Sequence, residues 1–182
     1  LSFALGAVST NPEIISMRWI LFLDFDGVLH GDRHREFAKL GLLEQYLEKM
    51  PKLEIVISST WRELYPLDEL KAFFQNTIRE RIIGITPILE FGFNCGGRQI
   101  EIETFLFEAD LNEQNAFWIA LDDLRHLFKS DCPYLILVDS ESGFTDNNGL
   151  TLLDWYEQSC SDSVDVPVGA TEGYSAHLSH SP

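Results

Sequence analysis

The sequence predicts an α/β fold, a doubly wound (Rossmann-like) parallel sheet of about five strands with helices on both faces. Three observations carry this expectation. Short apolar runs rich in β-branched residues recur along the chain, as in strands buried on both faces. Segments with apolar residues at helical spacing alternate with them. Several runs stop abruptly at Asp or Ser, as strands do at the carboxyl edge of an open parallel sheet, where ligands bind.

The first strand covers residues 18–24 and ends Leu21-Phe22-Leu23-Asp24. A polar loop through His30, Arg33, His34 and Arg35 leads to a helix over 36–50, with Leu40, Leu43, Leu47 and Met50 on one face and Pro51 closing it. Residues 53–59, Leu-Glu-Ile-Val-Ile-Ser-Ser, read as the second strand. Pro66 opens a helix carrying Leu67, Leu70, Phe73 and Phe74. Residues 82–86 form a third strand ended by Pro87. A glycine-rich loop, 92–97, then feeds a helix over 98–109 with Ile102, Phe105, Leu106 and Ala109 inward. Strands over 117–121 and 134–138 end in Asp122-Asp123 and Asp139, and a short helix over 150–156 follows.

Domain organisation is simple. Residues 17–157 read as one domain. Residues 1–16 read as an N-terminal extension that need not be native, since Met17 stands just before the first strand. Residues 158–182 read as an acidic tail, and the Ser/Asp/Gly/Pro-rich composition from Ser159 onward predicts disorder there. The net charge of −16 disfavours non-specific binding to nucleic acid or anionic membrane. Three widely spaced cysteines, Cys95, Cys132 and Cys160, make no metal-ligand pattern and fit a reducing, cytoplasmic setting. No apolar run is long enough to span a bilayer.

Chemistry concentrates at the strand ends. Alternation along the first strand points Asp24 and Asp26 the same way, and Gly27 lets the chain turn at once. Two such carboxylates need a cation or a shared proton. Ser59 and Thr60 end the second strand, Arg98 opens a helix, and Asp122 and Asp123 end the fourth strand. Carboxylates from two strands suit a hard octahedral cation such as Mg²⁺, and a guanidinium with a hydroxyl suits a phosphoryl group. Each residue also has a plainer reading: Ser59, Thr60 and Asp122 as helix caps, Arg98 as a surface partner of Glu101 or Glu103, Trp61 as core.

In this order the motifs resemble those of the haloacid dehalogenase (HAD) superfamily of phosphohydrolases. Asp24-Phe25-Asp26-Gly27-Val28 is similar to its first motif, Ile55-Val56-Ile57-Ser58-Ser59 to its second, Arg98 to its third and Ala120-Leu121-Asp122-Asp123 to its fourth. The resemblance implies Asp24 as a nucleophile forming an aspartyl-phosphate and Asp26 as general acid/base. It implies Ser59, with Ser58 and Thr60 as fallbacks, and Arg98 as phosphate ligands. It implies Mg²⁺ held by Asp24, Asp26 and Asp123, with Asp122 assisting. Ser58 to Arg62, Gly84 to Pro87, Arg98 to Ile102 and Trp118 to Asp123 are similar to a bacterial group of small HAD proteins that includes HAD domains assigned to RNA-repair systems.

The segments 27–52 and 61–97 leave no room for a large cap domain, so an open site is expected, suited to a large phosphorylated substrate such as a nucleic-acid end. His30, Arg33, Arg35, Trp61 and Arg62 are candidates for its mouth; the alternative is that Arg33 and Arg35 pair with Asp32 and Glu36 on the surface. Phosphoryl transfer to an acceptor other than water, and a non-catalytic phosphate-binding scaffold, are the competing functions. Intact acids in both aspartate motifs weigh against the scaffold.

Overall fold

The computed structural model describes residues 16–31, 37–90 and 95–164. Arg33 and Arg35, the terminal segments 1–15 and 165–182, and residues 91–94 of the glycine-rich loop lie outside the described residues.

Five strands form one parallel sheet: β1 (Arg18–Leu23), β2 (Leu53–Ile57), β3 (Ile82–Ile85), β4 (Ala116–Asp122) and β5 (Leu135–Leu137). Their order is β3-β2-β1-β4-β5. The chain winds outward from β1 to β3, then crosses back over the sheet to β4 on the far side of β1. The gap between the carboxyl ends of β1 and β4 is therefore a topological switch point, where such sheets hold ligands.

Alternation along the strands sends side chains into two cores. On one face Leu21, Leu23, Ile55, Ile57 and Leu121 pack with helices α1 (Leu40–Leu47), α2 (Leu67–Lys71), α3 (Asn76–Arg79) and α5 (Asp146–Val164). On the other, Ile20, Phe22, Val56 and Ala120 pack against α4 (Gly97–Glu108) through Ile102 and Leu106. Helices cover both faces, as the sequence predicts. Among the described residues the β1–β2 connection holds one helix, α1, and the β2–β3 connection a 3-10 turn and the two short helices α2 and α3, with no separate cap domain.

Three helices differ in extent from the sequence expectation, each for a visible reason. The helix over 36–50 begins only at Leu40, because Phe37 adopts φ 55° and turns its ring onto Phe73, with the ring centroids 4.4 Å apart. The helix opened by Pro66 ends at Lys71, short of Phe73 and Phe74, and a second, unexpected helix begins at Asn76: the buried Glu44 carboxylate of α1 accepts the Gln75 backbone N–H at 2.6 Å and its side-chain amide at 2.8 Å, holding Gln75 extended. The last helix starts earlier and runs later than expected. Thr145 and Asn148 exchange side-chain-to-backbone hydrogen bonds at its start, a capping box. At its far end Ser159, Ser161 and Ser163 turn their hydroxyls back onto Tyr156, Glu157 and Cys160 carbonyls, and the helix reaches Val164 where disorder is expected from Ser159. No described helix is long and apolar enough to cross a membrane, and the three cysteines form no disulfide.

Candidate active site

Parallel pairing of Leu23 with Leu121 fixes the site. One residue further on, Asp24 leaves β1 beside Asp122, its backbone N–H still donating to the Leu121 carbonyl at 3.0 Å. Asp24, Asp122 and Asp123 each present a carboxylate oxygen within 4.8 Å of the others. Asp24 and Asp122 are buried and Asp123 is partly exposed. Gly27, at φ 69°, lies so close to the Asp123 carboxyl that a Cβ there would collide with it. Glycine is thus required both for the turn and for the approach of the Asp123 carboxylate.

Arg98 answers this charge. It occupies the first turn of α4, whose amino end reaches the switch point. Its Nη1 donates to Asp122 Oδ2 at 3.1 Å and lies 3.6 Å from Asp24 Oδ1. Asp24 Oδ1 also accepts the Phe25 N–H at 2.8 Å, while its Oδ2 accepts no hydrogen bond among the described residues. Asp122 has both oxygens engaged, since Oδ1 accepts the Leu124 N–H at 2.8 Å. One guanidinium does not neutralise three carboxylates. Burial first, then the Asp24 charge, pushes the Asp122 pKa up to about 8 against the pull of Arg98. The same two causes push Asp123 up to about 6. Without a cation Asp122 keeps its proton at neutral pH. A hard divalent ion, which wants carboxylate oxygens, fits this donor set, and Asp24 and Asp123 have oxygens to offer it.

Asp26 does not join the three-acid group, contrary to the alternation argument and to its place in the expected metal set. The strand ends at Leu23, so strand geometry no longer governs residue 26. Its carboxylate, more than half exposed, accepts the Trp61 indole N–H at 3.1 and 3.0 Å and meets His30 Nε2 at 3.1 Å. It remains near enough for its charge to add to the upward push on Asp123.

Arg62 is not a mouth residue. Its guanidinium is buried and all five N–H donors are spent: Nε on the Thr86 carbonyl, Nη1 on those of Ser58 and Ser59, Nη2 on that of Pro87 and on Glu101 Oε2 at 2.5 Å. It clamps the exits of β2 and β3 to α4. Glu101, expected only in the plainer reading of Arg98 as a surface charge, is buried between Arg62 and Arg98, the latter at 3.7 Å. Its position three residues after Arg98 on one helix face was the available signal.

Ser59 is fully buried and caps the 3-10 turn Thr60–Glu63, accepting the Trp61 N–H at 3.4 Å. The cap takes one lone pair and leaves the Ser59 O–H as a donor. Thr60 is partly exposed. Trp61 is both core and mouth: it packs on Phe25, Phe37 and Phe73, and stacks on the exposed Tyr65 at 5.5 Å. His30 closes the same aromatic group against Phe37 and Trp61.

Residues 20–148, more than two thirds of the chain, match the family model described as HAD domain in Swiss Army Knife RNA repair proteins. No curated protein and no solved structure matches.

Two predictions follow from these contacts. Exposed ion pairs are worth about 1 kcal/mol or less, whereas removing one partner of a buried pair costs about 3–5 kcal/mol. Arg62→Ala takes from Glu101 its shortest charged partner and from four carbonyls a side-chain donor, so urea denaturation should report a loss in the buried-pair range; a loss under about 1 kcal/mol would return Arg62 to the surface reading. The second concerns pH. Because the folded-state pKa of Asp122 lies at about 8 against an ordinary 3.8, the folded form binds the extra proton and the metal-free protein loses stability as pH rises through that interval. Asp123 adds a loss that ends near pH 6. In EDTA, wild type should lose thermal stability between pH 4 and 8 more steeply than Asp122→Asn; equal slopes would refute the assignment.

Proposed function

This chain belongs to the family of HAD domains in Swiss Army Knife RNA repair proteins, and from that premise we propose that it is a Mg²⁺-dependent phosphohydrolase for phosphomonoesters, acting through an aspartyl-phosphate. The phosphorylated end of a nucleic acid is the substrate class this reading favours. The observation that carries it is the buried three-acid cluster around Arg98 at the switch point. A retired site has no reason to keep a costly concentration of like charge.

Asp24, Asp123 and Asp122 are the residues that would hold the cation, which when bound supplies charge neutralisation at the phosphoryl oxygens. Asp24 Oδ2, free of donors among the described residues, attacks phosphorus. The P–O bond to the leaving group breaks as Asp26, entering protonated, gives its proton to the departing oxygen. Asp26, now a carboxylate, then takes a proton from water as that water attacks the aspartyl-phosphate. Phosphate leaves, and Asp24 and the protonated Asp26 are restored. Arg98 holds Asp24 and Asp122 in place, and with the Ser59 and Thr60 hydroxyls forms the phosphate-binding side. The absence of a cap domain among the described residues leaves the mouth accessible to a polymer end.

A panel of nucleotides, sugar phosphates, phosphopeptides and 3′- or 5′-phosphorylated oligonucleotides, each with Mg²⁺ and with EDTA, tests the reading directly. Release of phosphate from oligonucleotide ends, lost in EDTA, is the expected result. Asp24→Asn should lower turnover on the order of a thousand-fold or more without lowering the unfolding temperature, since it removes one like charge from the cluster. Undiminished turnover in that variant would end the proposal.

A further inference from the structure

The contact that the motifs do not account for is the one between Trp61 and Asp26. We propose that Trp61 is a positioning residue for proton transfer: its indole N–H, with His30 beside it, fixes the Asp26 carboxyl so that Oδ2 faces the leaving group. The inference rests on the proposed role of Asp26 as general acid and extends it to residues outside the motif.

The geometry supplies the argument. The indole Nε1 sits 3.0 Å from Asp26 Oδ2 and 3.1 Å from Oδ1, almost equidistant from the two. One donor shared this evenly ties both oxygens to a single fixed point. Asp26 lies on an exposed turn, where an unheld side chain would sample several rotamers. The indole cannot follow it, being packed against Phe25, Phe37 and Phe73 and stacked on Tyr65. The direction of the N–H is therefore set by the aromatic cluster.

His30 distinguishes the two oxygens. Its Nε2 lies 3.1 Å from Asp26 Oδ1, while its Nδ1 is buried with no hydrogen-bond partner among the described residues. A hydrogen on Nδ1 would be an orphaned buried donor and would turn the Nε2 lone pair onto a carboxylate; both are unfavourable. The Nε2–H tautomer removes both faults and donates to Oδ1. That oxygen then accepts from two donors and Oδ2 from one, which leaves Oδ2 as the site for the mobile proton. During phosphoryl transfer the Oδ2–H proton passes to the departing oxygen as its bond to phosphorus breaks, and the carboxylate left behind is held by the same two donors. A misplacement of about 1 Å is enough to cost a large part of such a contribution.

The test uses leaving groups. An alkyl phosphate needs a proton on its departing oxygen, whereas p-nitrophenolate leaves without one. General-acid catalysis contributes about 10²–10⁴-fold, so Asp26→Asn should slow an alkyl phosphate on the order of a hundred-fold more than p-nitrophenyl phosphate. Trp61→Phe should show the same signature, with kcat on the alkyl substrate falling about ten-fold more than kcat on p-nitrophenyl phosphate. Site-specific replacement of Trp61 by benzothienylalanine, which keeps the size of the ring and lacks its N–H, should repeat the result if the smaller phenyl loosens the aromatic cluster. His30→Gln should give a smaller shift of the same sign. Equal losses on both substrates in the Trp61 variants mean a merely structural tryptophan and overturn the inference while leaving Asp26 in its role. Equal losses in Asp26→Asn overturn that role and the inference together.

Discussion

Like charge in a confined space is the constraint around which this molecule is built. Asp24, Asp122, Asp123 and Glu101 converge on a region that contains Arg62 and Arg98. Four carboxylates against two guanidinium groups leave a formal deficit of two positive charges. A protein can meet such a deficit with protons or with a divalent ion, and the raised pKa values of Asp122 and Asp123 are the proton solution. The proposed Mg²⁺ is the other, and the two exclude one another at Asp123. Metal uptake should therefore be coupled to proton release, as it is wherever ligands must ionise to bind.

The scaffold exists to hold those charges against their repulsion. Parallel pairing places β1 and β4 side by side, so two motifs about a hundred residues apart in sequence emerge at one edge. The crossover helix α4 brings Arg98 and Glu101 in from the other face of the sheet, one turn apart. Arg62 then fastens Glu101 to the exits of β2 and β3. The result is an alternation of sign, Arg62, Glu101, Arg98, then the acid cluster, in which each buried charge has an opposite neighbour. No described N–H of Arg62 is left for substrate, which is why a basic residue next to the phosphate motif contributes stability instead of affinity.

The sheet was legible because burial on both faces writes continuous apolar runs, and the acid cluster was legible because parallel strands must end at a common edge. Asp24, Asp122, Asp123 and Arg98 came from that logic. What escaped is what depends on where a chain stops being regular or on who its distant neighbours are. The outward turn of Asp26 required knowing that β1 ends at Leu23. The break between α2 and α3 required Glu44, thirty-one residues away from Gln75. Arg62 and Glu101 look like ordinary surface charges in one dimension, because nothing local marks a guanidinium whose partners are backbone carbonyls from two other loops. The early start of α5 is different: Thr145 and Asn148 stand at capping-box spacing, and that signal was present in the sequence.

The two aspartates of the first motif stand in different surroundings, and the proposed reaction divides between them. Asp24 is buried against a permanent cation, with Arg98 Nη1 at 3.6 Å, and one of its oxygens accepts a backbone N–H. Those contacts hold the carboxylate in place and leave its other oxygen for an electrophile, which is what a nucleophile requires. Asp26, two residues on, meets no cation at that distance among the described residues apart from whatever charge His30 carries; its partners there are an indole N–H and an imidazole, and its carboxylate is more than half exposed. Neutral donors orient a carboxyl without pinning its charge, and solvent provides the route by which a proton is lost and regained. In the proposed chemistry the first residue must not change its protonation and the second must change it twice per turnover. The positive φ of Gly27 and the end of β1 at Leu23 are the backbone features that send the two side chains into these different surroundings.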